Sequence, residues 1–174
     1  MVNYRFAHFF YHKKCKRLAR IISGISQFFT GVDIHPGAKL GRRVFIDHAN
    51  GVVIGQTAIV GDDVLIYQGV TLGGTSLERG AKRHPTIENG VVIGSGAKVL
   101  GDIIIGANAK IGSNAVVVGD VPAGATAVGR PARLLKGKSA NKREMDKDCE
   151  DKLSELECRL RELERLIASL KDRA

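Results

Sequence analysis

Residues 87–117 read IENGVVIGSGAKVLGDIIIGANAKIGSNAVV, and an isoleucine or valine recurs at every sixth position. The same rhythm extends toward the amino terminus, with a two-residue slip after Ile46 and an interruption after Leu72. An α-helix, which repeats every 3.6 residues, cannot use a period of six. Thirteen positions keep the rhythm, and all are Ile, Leu or Val: Ile34, Leu40, Ile46, Ile54, Val60, Ile66, Leu72, Ile87, Ile93, Val99, Ile105, Ile111 and Val117.

A period of six suits a triangular solenoid, in which each hexad supplies one short strand and one corner. Three hexads form one coil, the apolar residue of each hexad points inward, and adjacent coils stack about 4.8 Å apart through parallel backbone ladders. Glycine often follows the inward residue and suits corners where φ is positive. We therefore expect a mainly β chain with a parallel β-helix over residues 31–135.

Two segments of different composition flank this predicted solenoid. Residues 1–30 carry six Lys or Arg and no acidic residue, whereas residues 31–135 are almost balanced, so the net charge of +9 does not indicate a nucleic-acid-binding body. The leader has helical apolar spacing, which predicts a short helical segment packed on the solenoid and on neighbouring subunits. The alternative is a basic helix at a membrane surface.

Residues 136–174 read as a polar linker followed by a helix with heptad spacing. The pattern predicts a short coiled coil, and the alternative is a single helix packed on its own chain. The seam positions alternate by three and four residues: Leu153, Leu156, Leu160, Leu163, Ile167 and Leu170.

The remaining composition points to a cytoplasmic protein. No apolar run is long enough to span a membrane, and the first residues lack the pattern of a signal peptide. The three cysteines, Cys15, Cys149 and Cys158, form no CxxC pair, so we interpret them as free thiols in a reducing compartment.

The solenoid departs from its rhythm in two places, and we look for function there. The slip covers residues 47–51, and the interruption includes residues 73–85, which must project as a loop. Counting hexads places Asp33 and His48 at the same corner, one coil apart, at about 5 Å in backbone stacking. A carboxylate beside an imidazole fixes the tautomer of the ring and favours its protonated form, as a general base requires.

A metal site is the competing interpretation of these histidines. Outside the leader the candidates are His35, His48 and His84. They lack a pair at matching spacing, and no third ligand is evident, so we expect no metal.

Several stretches together resemble the serine O-acetyltransferase family of left-handed β-helix acyltransferases. The resemblance covers residues 31–135 and is more specific than the hexads alone, which identify only the superfamily. It rests on VDIHPGAKLG (32–41), IDHANGVVIG (46–55), YQGVTLGGT (67–75), KRHP (82–85) and VGRPAR (128–133).

This resemblance implies a left-handed β-helix and acetyl transfer from acetyl-CoA to the L-serine hydroxyl. It makes His48 the general base, Asp33 its partner, and Asp47, Arg83 and His84 the contacts of the amino acid. A carboxylate suits the substrate ammonium, and a guanidinium suits its carboxylate. The Gly74 N–H would contact the thioester oxygen. With Gly74, the implied acetyl-CoA contacts are Thr75, Ser95, Gly96, Lys110, Ser113, Arg130 and Arg133.

For Lys110, Arg130 and Arg133 the alternative is an ordinary solvated surface. No cysteine lies at the implied site, which predicts direct transfer without an acyl-enzyme. The projecting loop would reach a neighbouring chain, as in the trimer typical of the family, so we expect a homotrimer.

The sequence also departs from the family. Most of the family's N-terminal helical domain is missing, which puts strict serine preference and a hexamer in doubt. The chain ends KDRA in place of the usual isoleucine tail, so we expect no sulfhydrylase complex through that tail. The alternative function is acetylation of another hydroxyl, such as that of homoserine or a sugar.

Overall fold

The computed structural model describes residues 1–76, 78, 80–135 and 159. The chain divides into two compact units, Met1–Leu135 and Lys136–Ala174. Apart from Arg159, the predicted linker and coiled coil lie outside the described residues. The fold below is that of the first unit.

Two helices precede a solenoid with three sheets. The helices are α1 (Val2–His12) and α2 (Lys16–Thr30). Sheet A contains β1 (Asp33–Ile34), β4 (Val53–Ile54), β7 (Thr71–Gly73), β10 (Lys98–Leu100) and β13 (Val116–Val117). Sheet B contains β2 (Lys39–Leu40), β5 (Ile59–Val60), β8 (Thr86–Ile87) and β11 (Ile104–Ile105). Sheet C contains β3 (Phe45–Ile46), β6 (Leu65–Ile66), β9 (Val92–Ile93), β12 (Lys110–Ile111), β14 (Thr126–Gly129) and β15 (Ala132–Leu134).

Successive strands visit the three sheets in turn, and nearly all strand pairs are parallel. Among the described strands only β15 runs antiparallel, against β14, at the carboxyl end of sheet C. A regular coil has the length of three hexads, as between Val53 and its partner Thr71. The slip lengthens the first coil, where Lys39 pairs with Ile59. The loop lengthens a later coil further, where Ile59 pairs with Thr86.

The core is a column of apolar side chains along the solenoid axis. Eleven of the thirteen hexad positions are buried, and the other two, Ile34 and Ile46, are partly buried in the first coil. In most hexads the small or β-branched residue two places before the hexad position is also buried, as with Val52 and Ala97, whereas Val32 is partly buried. Most hexads therefore contribute two inward side chains. The inward side chains of each coil pack against those of the next coil.

The corner between sheets C and A is built from stacked residues with positive φ. Gly31, Gly51, Gly69, Gly96 and Asn114 have φ between 57° and 72°. At Gly69 the positive φ favours glycine, because a β-carbon there would make only an ordinary contact, 3.4 Å from Gly96 Cα. Gly31 also ends α2, and its N–H donates to Gln27 O at 2.8 Å. The leader thus enters the solenoid directly through its first corner.

The leader caps the open end of the ladder. Ladder N–H groups in the first coil donate to the second coil, as Asp33 N does to Val52 O, which leaves first-coil carbonyls facing the leader. Tyr4 Oη donates to Ala38 O at 2.5 Å, and Ser23 Oγ donates to Ile34 O at 2.7 Å. The Arg5 guanidinium donates to two further first-coil carbonyls. Covering an edge in this way removes a template for strand addition.

The same helices expose an apolar face. Ala19 and Ser23 of α2 are buried, whereas Ile21 and Ile25 are more than half exposed and Phe28 is 84% exposed. The leader therefore contacts the solenoid through small and polar side chains. Among the described residues, no helix combines the length and hydropathy needed to cross a membrane.

We predict that Tyr4→Phe lowers the free energy of unfolding by about 1–3 kcal/mol, because Ala38 O would lose its donor while it stays covered. Tyr67→Phe is the matched control, since the structure gives the Tyr67 hydroxyl no hydrogen bond within the described part of the chain. Urea unfolding of both variants measures the difference. Equal stability of the two variants would contradict a capping role for Tyr4.

Candidate active site

Two edges of the prism carry most of the predicted site residues. The C–A edge connects sheet C to sheet A and includes residues 47–52, 67–70, 94–97 and 112–115. The A–B edge connects sheet A to sheet B and includes the loop of residues 74–85.

His48 lies on the C–A edge, where the two-residue slip widens the corner. Its φ is +53°, and Ala49 follows with φ of +36°, so two consecutive residues other than glycine adopt a left-handed backbone. Strain of this kind concentrates at functional sites. The His48 side chain is 72% exposed, and its Nε2 lies 3.9 Å from Asp47 Oδ1. The imidazole is therefore accessible to a substrate.

Asp33 starts β1 immediately after the same edge. Gly51 N donates to Gly31 O at 2.9 Å, which stacks the His48 corner on the segment that leads into Asp33. The shared corner agrees with hexad counting, but the ladder partner of Asp33 is Val53 and not His48. Within the described chain, however, no hydrogen bond or ion pair joins the Asp33 and His48 side chains. Their catalytic pairing remains a prediction.

Several predicted acetyl-CoA contacts lie along the C–A edge beyond His48. Ser95 Oγ donates to Ser113 Oγ at 3.2 Å, and Gly96, which follows Ser95 in the same coil, belongs to the positive-φ column. Arg130 Nε donates to Asn114 O at 2.8 Å, so the guanidinium reaches the same edge. His48 and a row of small side chains thus share one edge, while Lys110 and Arg133 occupy strands β12 and β15 of sheet C.

The A–B edge carries the other predicted residues, on the projecting loop. A β-carbon at Gly74 would lie 3.0 Å from Arg83 O, so the two ends of the loop are in close contact. Thr75 approaches Gly101 of the next coil. Arg83 Nη1 donates to Ser76 O at 3.1 Å, within the loop itself. The loop therefore returns to the solenoid with its ends held together.

His84 is buried where the loop ends, with 7% of its surface exposed. Its Nδ1 lies 2.8 Å from Thr57 Oγ1. A β-carbon at Gly55 would lie 2.0 Å from the His84 ring, so only glycine leaves room for it. Burial lowers the pKa of His84, and the neighbouring Arg83 and Lys82 charges lower it further. The ring is therefore neutral at pH 7.

His35 lies on the same edge, two coils nearer the leader. Burial, with a contribution from Arg20, lowers its pKa to about 4, and Asp33 opposes that shift. His84 and Arg83 also lower the pKa of His35. His35 packs edge-on against Tyr11 of the leader, with ring centroids 5.7 Å apart. Both His35 and His84 are thus held as neutral rings in one cluster.

The structure therefore separates the predicted residues into two groups within one chain. His48 and Asp47 lie on the C–A edge, whereas Arg83 and His84 lie on the A–B edge, and sheet A runs between the two.

Sequence reasoning missed Thr57 and the neutral His35 as parts of the A–B cluster. The pairing of Ile59 with Thr86 places Thr57 beside His84. The sequence alone does not give this pairing, because the loop inserts extra residues between the two strands.

No metal centre is formed by the residues that the structure describes. They contain no group of three or more His, Cys, Asp or Glu side chains placed to hold an ion.

A three-sided parallel β-helix of hexads, with an exposed histidine on a widened edge, defines a hexapeptide-repeat transferase. Residues 84–119 match the family described as bacterial transferase hexapeptide (six repeats). A serine acetyltransferase of Bacillus pumilus is 53% identical over 170 residues, which cover 97% of this chain and 76% of the relative. The chain therefore belongs to the serine acetyltransferase family.

Solved structures agree with this assignment. Soybean serine acetyltransferase complexed with serine is 46% identical with a TM-score of 0.74, over 76% of this chain and 54% of that one. A serine acetyltransferase in complex with CoA is 47% identical with a TM-score of 0.72, over 76% and 54%. These likenesses confirm the predicted left-handed parallel β-helix. The chain spans about half the length of the solved structures that it matches.

We predict that the free energy of unfolding falls as the pH drops from about 6.5 to about 4. His35 should contribute at most about 1.4 kcal/mol per pH unit to this fall. The unfolded His35 binds a proton near pH 6.5, whereas the folded residue resists protonation until about pH 4. Acid therefore favours the unfolded chain. His35→Asn should make the slope shallower in urea titrations across this range. An unchanged slope would contradict a neutral, partly buried His35.

Proposed function

We propose that the protein is a serine O-acetyltransferase, which transfers the acetyl group of acetyl-CoA to the hydroxyl of L-serine. Family membership supports this activity, as do the relatives solved with serine and with CoA. The observation in this chain that carries the proposal is the C–A edge. This edge carries the exposed His48 imidazole together with the small residues Ser95, Gly96 and Ser113.

The proposed chemistry uses His48 as a general base. His48 removes the proton of the serine hydroxyl while its oxygen attacks the thioester carbonyl carbon. The C–S bond then breaks, and the proton passes from His48 to the departing thiolate, which leaves O-acetylserine and coenzyme A. Asp33 stabilises the imidazolium between these two transfers. The acetyl group moves directly, and no residue of the enzyme is acylated.

Charge complementarity orients the amino acid in this proposal. Asp47, beside His48, binds the substrate ammonium, and the Arg83 guanidinium with His84 binds its carboxylate. A sugar would leave these charged groups without partners, which favours an amino acid as the acceptor.

The acetyl-CoA contacts are divided between the two edges in the same proposal. Gly74 and Thr75 line the pantetheine arm at the start of the loop, and Arg130 and Arg133 lie toward the CoA phosphates.

The two edges of one chain do not form this site alone, so we propose a homotrimer with shared sites. In such an assembly the A–B edge of one protomer, which carries Arg83 and His84, faces the C–A edge of the next, which carries His48. The separation of these groups by sheet A supports the arrangement. The cytoplasmic location expected from the sequence stays a prediction.

His48→Ala should lower kcat by at least about 10²-fold, because general-base catalysis contributes typically 10²–10⁴. Thiol release from acetyl-CoA is measured with serine, homoserine and simple sugars offered separately. His12→Ala is the matched control, since His12 is an exposed histidine on the leader. Faster turnover with a sugar than with serine would overturn the proposed acceptor, and full activity of the His48 variant would remove its role.

Mixed assemblies test the shared site. His48→Ala and Arg83→Ala chains should each be impaired alone, and trimers formed from both should regain activity at the interfaces where the intact His48 and the intact Arg83 meet. Joint refolding followed by the thiol assay measures this recovery. Mixtures that stay as inactive as their components would contradict shared sites.

A further inference from the structure

The end of the projecting loop is held by one hydroxyl group. Thr57 Oγ1 accepts hydrogen bonds from Arg83 N at 3.1 Å and from His84 N at 3.2 Å. These two bonds fill the acceptor sites of a hydroxyl and leave its single proton free to donate. The atom within reach of that proton is His84 Nδ1, at 2.8 Å.

A second donor reaches the same nitrogen. The backbone N–H of Thr57 points at His84 Nδ1 at 3.2 Å. A neutral imidazole has one N–H and one acceptor nitrogen, so an Nδ1 that faces two donors is the acceptor. The ring proton of His84 is therefore on Nε2.

The Nε2 side of the ring lies against Gly55. The position of a β-carbon at Gly55 lies 2.0 Å from Nε2, so the ring occupies the space that a side chain would fill. Nε2 makes no hydrogen bond within the described part of the chain, where no buried side-chain nitrogen or oxygen lacks a partner. This N–H is therefore accessible to a ligand.

We propose that Thr57 is a positioning residue that holds His84 as the Nε2–H tautomer, so that His84 donates a hydrogen bond to the carboxylate of the acetyl acceptor. His84 then acts as a neutral donor beside the cationic Arg83, and proton abstraction is left to His48. This inference rests on the proposed function for the identity of the acceptor. Its structural part, the tautomer, rests on the contacts of Thr57 alone.

Nitrogen-15 NMR of the imidazole rings in the ligand-free, full-length protein tests the tautomer directly. The wild-type His84 should show a protonated Nε2 and an unprotonated Nδ1. Thr57→Val leaves the backbone N–H of residue 57 as the remaining donor to Nδ1, so a fraction of the Nδ1–H form should appear. Thr57→Ser, which keeps the hydroxyl, should restore the wild-type spectrum. A wild-type His84 protonated on Nδ1, or a spectrum unchanged by Thr57→Val, would overturn the proposal. The measurement needs no substrate, so it stands apart from failure of the proposed activity.

Steady-state kinetics test whether Thr57 affects the binding of serine through His84. Thr57→Val should raise the KM for serine about tenfold or more, the effect of losing a hydrogen bond to a charged group, with a smaller change in the KM for acetyl-CoA. Thr57→Ser should recover most of the loss, and Thr126→Val on sheet C is the matched control. An equal rise in both KM values would indicate a merely structural role and overturn the proposal.

Gly55→Ala provides a second variant that leaves Thr57 intact. Its added methyl group displaces the His84 ring, so it should reproduce the rise in the KM for serine. Gly119→Ala is the control, because a β-carbon at Gly119 meets nothing within 4 Å. A Gly55→Ala enzyme with a wild-type KM for serine would contradict the role of His84 as the donor.

Discussion

The stacking of one coil on the next is the constraint on which everything else in this molecule depends. The strands are too short to be stable alone, and the ladder bonds to the coils on either side hold each of them in place. The edges are straight because the ladder repeats at every third hexad where nothing is inserted, as it does between Val53 and Thr71. Residues far apart in the chain consequently become neighbours on one edge.

The hexad pattern predicted the three-sided solenoid and its core because burial in this fold is strictly periodic. Ile54, Ile66 and Val99, chosen from spacing alone, are almost fully buried. The leader was harder to predict, because amphipathic spacing does not reveal which face meets the solenoid. In α2 the small residues Ala19 and Ser23 face inward, and the apolar stripe that defined the helix stays exposed.

The positions of candidate site residues could be predicted where the pairing of one coil with the next could be predicted. The slip at residues 47–51 placed His48 and the start of β1 at one corner, and the structure has that corner. The extra residues of the loop hid the contact between Thr57 and His84, since a projecting insertion can re-enter the solenoid at more than one point. Side-chain detail such as the tautomer of His84 depends on distances that no spacing pattern contains.

The cap formed by the leader has a consequence for how such a rod terminates. A β-helix is an open-ended polymer in principle, since the carbonyl row of its first coil is a surface onto which the last coil of another molecule can dock. Side-chain donors from the leader occupy that row, and their spacing differs from the regular spacing of backbone N–H groups. They belong to Tyr4, Arg5, His8 and Ser23. The leader therefore covers the end onto which another molecule could add a coil, and such a cover opposes end-to-end association.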